Sequence, residues 1–237
     1  MILLRNALMC LSLSLCLISQ AHALLSRNQV NQLAHLSLNN LKSELHTLVS
    51  KGHDSLGYDR AKKTIFEKLD NHNGEVCCVY SEHNCMKVSS VPNHRVMNVE
   101  HTWPQSMGAR GTAKSDLHHL FPTTSSVNST RSNFPFCEVA SVKWEDDGSK
   151  MGKDSSGVTC FEPPDHHKGD VARAMFYFAI RYDHTIDSAQ EKVLRKWNHD
   201  DPVDSDELAR HKRIVDFQHN INVFVENPEL IDDIADF

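Results

Sequence analysis

The chain has 237 residues, 40% of them hydrophobic and 24% charged, which suits a globular protein with a sizeable core and excludes a disordered or fibrous polypeptide. A formal net charge of −6 gives no overall positive field, so charge alone does not point to a nucleic-acid partner. A local basic patch or a divalent cation can still serve such a partner within an acidic whole.

The N-terminus reads as a secretory signal peptide spanning residues 1–23. Arg5 supplies a positive charge, residues 7–19 form a short apolar run, and Ala21-His22-Ala23 places small residues before the cleavage point. The run is short for a membrane anchor, and Leu15 before Cys16 does not suit a lipoprotein signal. The remaining residues, 24–237, are expected to form one domain, with no membrane association after cleavage. Export puts Cys77, Cys78, Cys85, Cys137 and Cys160 in an oxidising compartment. The preferred pairing is Cys85 with Cys77 or Cys78, and Cys137 with Cys160. A zinc site on Cys77, Cys78, Cys85 and His83 is the alternative, weakened by the lack of a CxxC pair.

In chain order, the leucines between Ser26 and Ser50 recur near helical spacing, with Asn39-Asn40 as a possible break into two helices. Tyr58 to Leu69 is a second helical pattern, and Val76 to Tyr80 reads as a strand. Val96 to Val99 and Leu117 to Phe121 are expected strands, followed by a helix over Val127 to Ser132. Residues 141–169 read as irregular, punctuated by Gly148, Gly152, Gly157 and Pro163-Pro164. Gly169 to Tyr182 is the strongest helix, apolar over most of its surface, with Asp170 in its first turn. Ser188 to Trp197 and Asp204 to Asn220 follow as amphipathic helices, the latter opened by a capping-box pattern, Asp204 to Glu207.

The chemistry concentrates between Asn98 and Asn133. Cleaving a phosphodiester needs a base for the attacking water and positive charge at the phosphate. His101 suits the base, Glu100 beside it suits a hard cation, and the amide oxygen of Asn128 can complete the protein's share of the ligands. NVEHTWPQS at 98–106, KSDLHHLFPT at 114–123 and VNSTRSNFPF at 127–136, with KGDVARAMFYFAIRY at 168–182, resemble the bacterial endonuclease I family of ββα-metal (His-Me finger) nucleases. The resemblance covers roughly residues 56–232.

It implies an α+β fold, mostly helical, in a single domain around a ββα-metal core with short antiparallel strands. It also implies a periplasmic or secreted, sequence-nonspecific endonuclease acting on DNA, with RNA as a second substrate. The expected metal is Mg²⁺, with Mn²⁺ or Ca²⁺ as substitutes, and the expected state is a monomer. Carried over residue by residue, Glu100 and Asn128 hold the metal and His101 is the general base. Arg110 is the first candidate to bind the phosphate and Arg131 the second. Lys114 stands where some members carry a leaving-group Glu.

Other residues nearby are expected to be structural. Asp116 and His118 organise the region by hydrogen bonds, and Trp103 and Pro104 fix the loop after His101. Asn133 caps the helix end or rivals Asn128 as a ligand, and His119 is open to either role. His166-His167 reads as a surface loop, and Arg173 and Arg181 as salt-bridge partners of carboxylates. Asn128-Ser129-Thr130 is a formal glycosylation sequon, and a glycan there would destroy the site, which favours a bacterial secretory route. A binding module without turnover and a zinc hydrolase are the competing classes. No HExxH helix supports the second.

Overall fold

The computed structural model describes residues 38–237 together with Leu33 and Leu36, so the expected signal peptide and the start of the first expected helix lie outside the described residues. Helix α1 (Leu38–Ser50) runs without a break through Asn39-Asn40. Helix α2 (Tyr58–Thr64) continues into a wider turn at Ile65–Leu69, closed by the Asp70 N–H on the Ile65 carbonyl. Strands β1 (Glu75–Cys77) and β2 (Cys85–Lys87) form a hairpin whose paired Cys77 and Cys85 are disulfide-bonded. Cys78 is free and buried, and Cys137–Cys160 is the second bridge. The strand expected over Val76 to Tyr80 is thus shorter, ending at the bridge.

Strands β3 (Met97–His101) and β4 (Leu120–Thr124) pair antiparallel, Glu100 opposite Phe121, and β4 passes directly into helix α3 (Ser125–Arg131). This ββα unit carries Glu100 and His101 on β3 and Asn128 on α3. Pro122 sits inside β4 at no cost to the ladder. Its carbonyl faces away from β3 and accepts the Val79 N–H, so its missing N–H falls on that side as well.

The strand expected over Leu117 to Phe121 begins three residues later. Leu117–His119 is instead a tight turn, because the Asp116 carboxylate caps it by accepting the His118 N–H at 3.1 Å. The stretch expected to be irregular contains a three-stranded antiparallel sheet, β5 (Ser141–Asp146), β6 (Ser149–Lys153) and β7 (Thr159–Glu162). Its first hairpin turns on Asp147 and Gly148, both at positive φ, the conformation that matches strand twist and favours Asp-Gly. Polar outer faces hid these strands, while Trp144, Met151 and Phe161 pack inward.

Helix α4 (Lys168–Tyr182) is buried on nearly all sides and packs against α1, α5 (Ser188–Asp200) and the short α7 (Val223–Glu226). Helix α6 (Ser205–Gln218) is capped by the Asp204 side chain, which takes the N–H groups of Asp206 and Glu207. Glu207 does not reciprocate as in a capping box but pairs with Arg173 at 2.6 Å. The result is one α+β domain with the helices gathered around α4.

Candidate active site

The end of β3 carries Glu100 and His101, and both are buried. A cavity of 430 Å³ opens beside them, lined also by Gln105, Ser106, Asn128 and Asn133. The fold therefore brings Glu100, His101 and Asn128 to one opening.

Each is held by contacts that leave a defined atom free. The His101 Nε2 lies 3.1 Å from the Lys114 carbonyl, which can only accept, so Nε2 carries the proton. Nδ1 is then the lone-pair nitrogen, with the Gln105 amide 3.4 Å away. Burial, aided by neighbouring His119, lowers His101 to about 3 against the upward pull of the Lys114 carbonyl, so the ring is neutral at pH 7. The Asn128 amide nitrogen faces two acceptors, Asn98 Oδ1 at 2.7 Å and the Val99 carbonyl at 3.3 Å. Because the Val99 carbonyl cannot donate, the NH₂ group must lie on that side and Oδ1 on the other.

Glu100 is gripped at one oxygen. Tyr80 donates to its Oε1 at 3.0 Å, and Arg131 Nε lies 2.9 Å from the same atom, though its N–H is not aimed there, so that contact is one of charge. Burial raises the Glu100 carboxyl to about 7, opposed by Arg131 and by the Tyr80 hydrogen bond.

Arg131 is only 1% exposed and donates to the carbonyls of Ser132 and Thr102 over the Phe136 ring. Read from sequence as a phosphate candidate, it is instead enclosed behind Glu100, where no phosphate reaches it. Arg110 is exposed on the loop, its Nε 3.4 Å from the carbonyl of cavity-lining Gln105. The Lys114 ammonium sits 4.7 Å from the Tyr58 ring centre, and that ring in turn lies 5.4 Å from His101. Asn133 lines the cavity with its amide toward Ser106, while the helix end itself is closed by Ser132 at positive φ.

Asp116 anchors the segment behind His101. Its carboxylate accepts from Tyr177, Tyr182 and Gln218 as well as from the His118 N–H. Burial alone would raise it, but His118, His119 and His53 together with Gln218 hold it below the usual carboxylate range. His118 donates to the Asn220 carbonyl, a contact to the loop after α6, and His119 donates to the Ala113 carbonyl. Carbonyls accept only, so both rings present N–H there. Trp103 stacks on Phe178 at 4.8 Å and donates to the Met107 carbonyl, which fixes the loop after His101.

Two expectations are corrected here. His167 is buried, bonded to Asp170 and edge-on to Phe121, because the turn at Asp165–His167 folds it under α4. Arg181 meets the Ser50 hydroxyl and not a carboxylate, whereas Arg173 does pair with Glu207 and Asp170. Sequence reading missed Tyr80, whose partner Glu100 is 20 residues away and whose only signal was its place after a cysteine pair. It also missed Gln105 as the neighbour of His101.

A family model described as Endonuclease I matches residues 37–229. An extracellular ribonuclease of Bacillus amyloliquefaciens is 37% identical over 218 residues, covering 82% of this chain and 73% of the relative. One from Bacillus subtilis is 36% identical with the same coverage. An extracellular deoxyribonuclease of Aeromonas hydrophila is 31% identical over 118 residues, covering 48% of this chain and 49% of the relative. The chain belongs to the Endonuclease I family.

Proposed function

We propose that the protein is an exported, Mg²⁺-dependent endonuclease that hydrolyses phosphodiester bonds of RNA and DNA with little sequence preference, working as a monomer. The observation that supports this reading is that one cavity is lined by neutral His101, Glu100 and Asn128, with the His101 lone-pair nitrogen facing only the Gln105 amide.

A hard cation fits the donor set, which is oxygen only, and Glu100 carries a carboxyl raised by burial that further positive charge would relieve. Glu100 and Asn128 would hold it, and it would supply charge neutralisation at the phosphate. His101 Nδ1 takes a proton from water as the water oxygen bonds to phosphorus and the bond to the leaving oxygen breaks. The Lys114 carbonyl keeps the ring in the tautomer that can accept. Arg110 faces the phosphate from the loop, and the leaving oxygen is protonated by water, since position 114 offers no carboxylic acid. Arg131 and Tyr80 position Glu100. RNA stands beside DNA as substrate because the ribonuclease relatives align over 82% of the chain, whereas the deoxyribonuclease relative aligns over 48%.

Export follows from residues 1–23 as a signal peptide and from relatives named extracellular or periplasmic. No helix among the described residues is long and apolar enough to cross a membrane.

The test uses purified mature protein on supercoiled plasmid and on RNA, with Mg²⁺, EDTA and a zinc panel. Cleavage should need Mg²⁺, and His101→Ala should lower the rate by roughly 10²–10⁴ with nucleic-acid binding retained. Wild-type turnover in that variant removes His101 as the base. Activity that requires zinc instead supports a zinc hydrolase.

A further inference from the structure

Beside the site lies a second, larger concavity that the catalytic residues do not use. It has a volume of 650 Å³, in the range that accommodates a small ligand, and lies between α2 and residues 91–98. Its charged lining is basic, Lys62 and Arg95, with His94 next to Arg95 in the chain and no carboxylate. Arg95 has no carboxylate partner among the described residues, whereas Lys62 is shared with exposed Asp59. Alongside the cations are Pro92 and Val91, the latter 40% exposed. Positive charge next to an open apolar wall matches a ligand with an anionic part and a flat apolar part.

The groove adjoins the catalytic cavity. Val99 lines both, and Asn98 in the groove accepts from Asn128 in the cavity. Tyr58, on the groove wall, packs on the His101 ring at 5.4 Å and lies under the Lys62 ammonium at 4.9 Å. A chain bound with one phosphate at His101 would continue into this groove.

We propose that this groove is a subsite for the nucleotide next to the scissile phosphate in an unpaired nucleic-acid strand, its phosphate taken by Lys62 and Arg95 and its base laid against Val91 and Pro92. The assignment rests on the nuclease reading above. A duplex fits less well, because its bases are turned inward and only a convex phosphate ridge would meet the hollow.

The test measures binding in EDTA, so that no cleavage intervenes, by anisotropy of a labelled oligothymidine of about twelve nucleotides, alone and annealed to its complement. Replacing both cations, Lys62→Ala with Arg95→Ala, should weaken binding of the single strand by roughly tenfold at low salt and flatten the log Kd against log salt slope by about 1.4. Lys143→Ala with Lys153→Ala removes equal charge from exposed positions on the β5–β7 sheet and should change both by much less. Binding by the groove variant equal to wild type overturns the subsite, as does an equal effect from the sheet variant. An equal loss on the duplex overturns the unpaired strand as occupant. If wild type cleaves and His101→Ala does not, a normal-binding groove variant refutes the subsite alone. Failure of wild type to cleave either nucleic acid refutes the nuclease reading on which it rests.

Discussion

Replacing Arg131 with Met separates two roles for this arginine. The guanidinium stands 2.9 Å from Glu100 Oε1 at 1% exposure and donates to the Thr102 and Ser132 carbonyls. Met matches its length over Phe136 but removes the charge and every donor. Removing one partner of a buried pair typically costs about 3–5 kcal/mol, since the other charge stays desolvated. Glu100 has an escape, because burial already lifts its carboxyl to about 7 and it can take up a proton. The expected loss at neutral pH is therefore near the lower end, about 3 kcal/mol, read from urea unfolding without metal. A neutral Glu100 is a poor ligand, so the Mg²⁺ needed for half-maximal cleavage should rise about 10–100-fold, the usual effect of losing a group that orients a metal ligand. If stability and the Mg²⁺ requirement stay at wild-type values while KM for nucleic acid rises, Arg131 binds phosphate and its placement behind Glu100 is wrong.

Two further outcomes concern the scaffold. His118 and His167 both lie near 3 when folded, lowered chiefly by burial, against an ordinary 6.5. At these two the unfolded chain then binds more protons, so their share of the stability falls as pH drops below about 6.5, by about 3 kcal/mol at pH 5.5. An NMR titration showing either imidazole with an ordinary value near 6.5 in the folded protein would refute their neutral burial, whereas total stability would not, because the raised Glu100 carboxyl gains stability over the same pH range. Removing the Cys137–Cys160 bridge, which closes a separation of 23 residues, should cost about 3 kcal/mol through unfolded-state entropy. A Cys137→Ala, Cys160→Ala protein within about 1 kcal/mol of wild type in urea would show that the unfolded chain gains little from the cut.

Where side chains repeat on a local period, sequence and structure agree closely. Helix α4 was expected from Gly169 to Tyr182 and runs Lys168–Tyr182, since its apolar residues fill every turn. The exposed sheet at 141–162 carries no such period, yet Asp147-Gly148 between polar strands was a readable hairpin signal that the surrounding glycines obscured. The shift of β4 came from one side chain, as Asp116 turned the preceding residues into a capped turn. At the site, Glu100, His101 and Asn128 stand out because their spacing spans a strand pair and the following helix. Their supports do not, because they arrive across long separations. Tyr177, Tyr182 and Gln218 reach Asp116 from 61, 66 and 102 residues away. Arg131 shows the limit most clearly: the family resemblance offered it as the second phosphate candidate, and only the fold shows it buried beside Glu100.

The net charge of −6 argued weakly against a polyanionic substrate, and its distribution removes that objection. Several carboxylates are turned inward and matched: Asp70 with Arg210, Glu207 with Arg173, and Asp116 with tyrosine and glutamine donors. Exposed acids are spread along the chain, many of them late, at Asp204, Asp206, Asp232, Asp233 and Asp236, and one, Asp59, stands beside the groove against Lys62. A bound strand responds to the field within about one Debye length, roughly 8 Å at physiological salt, and not to the sum over the chain. Around the catalytic cavity that field is set by Lys62, Arg95, Arg110 and Lys114, opposed by Asp59 beside Lys62 and at the centre by Glu100, whose charge is already offset by Arg131. The acidic remainder is screened at that range, so an acidic protein can present a basic working face.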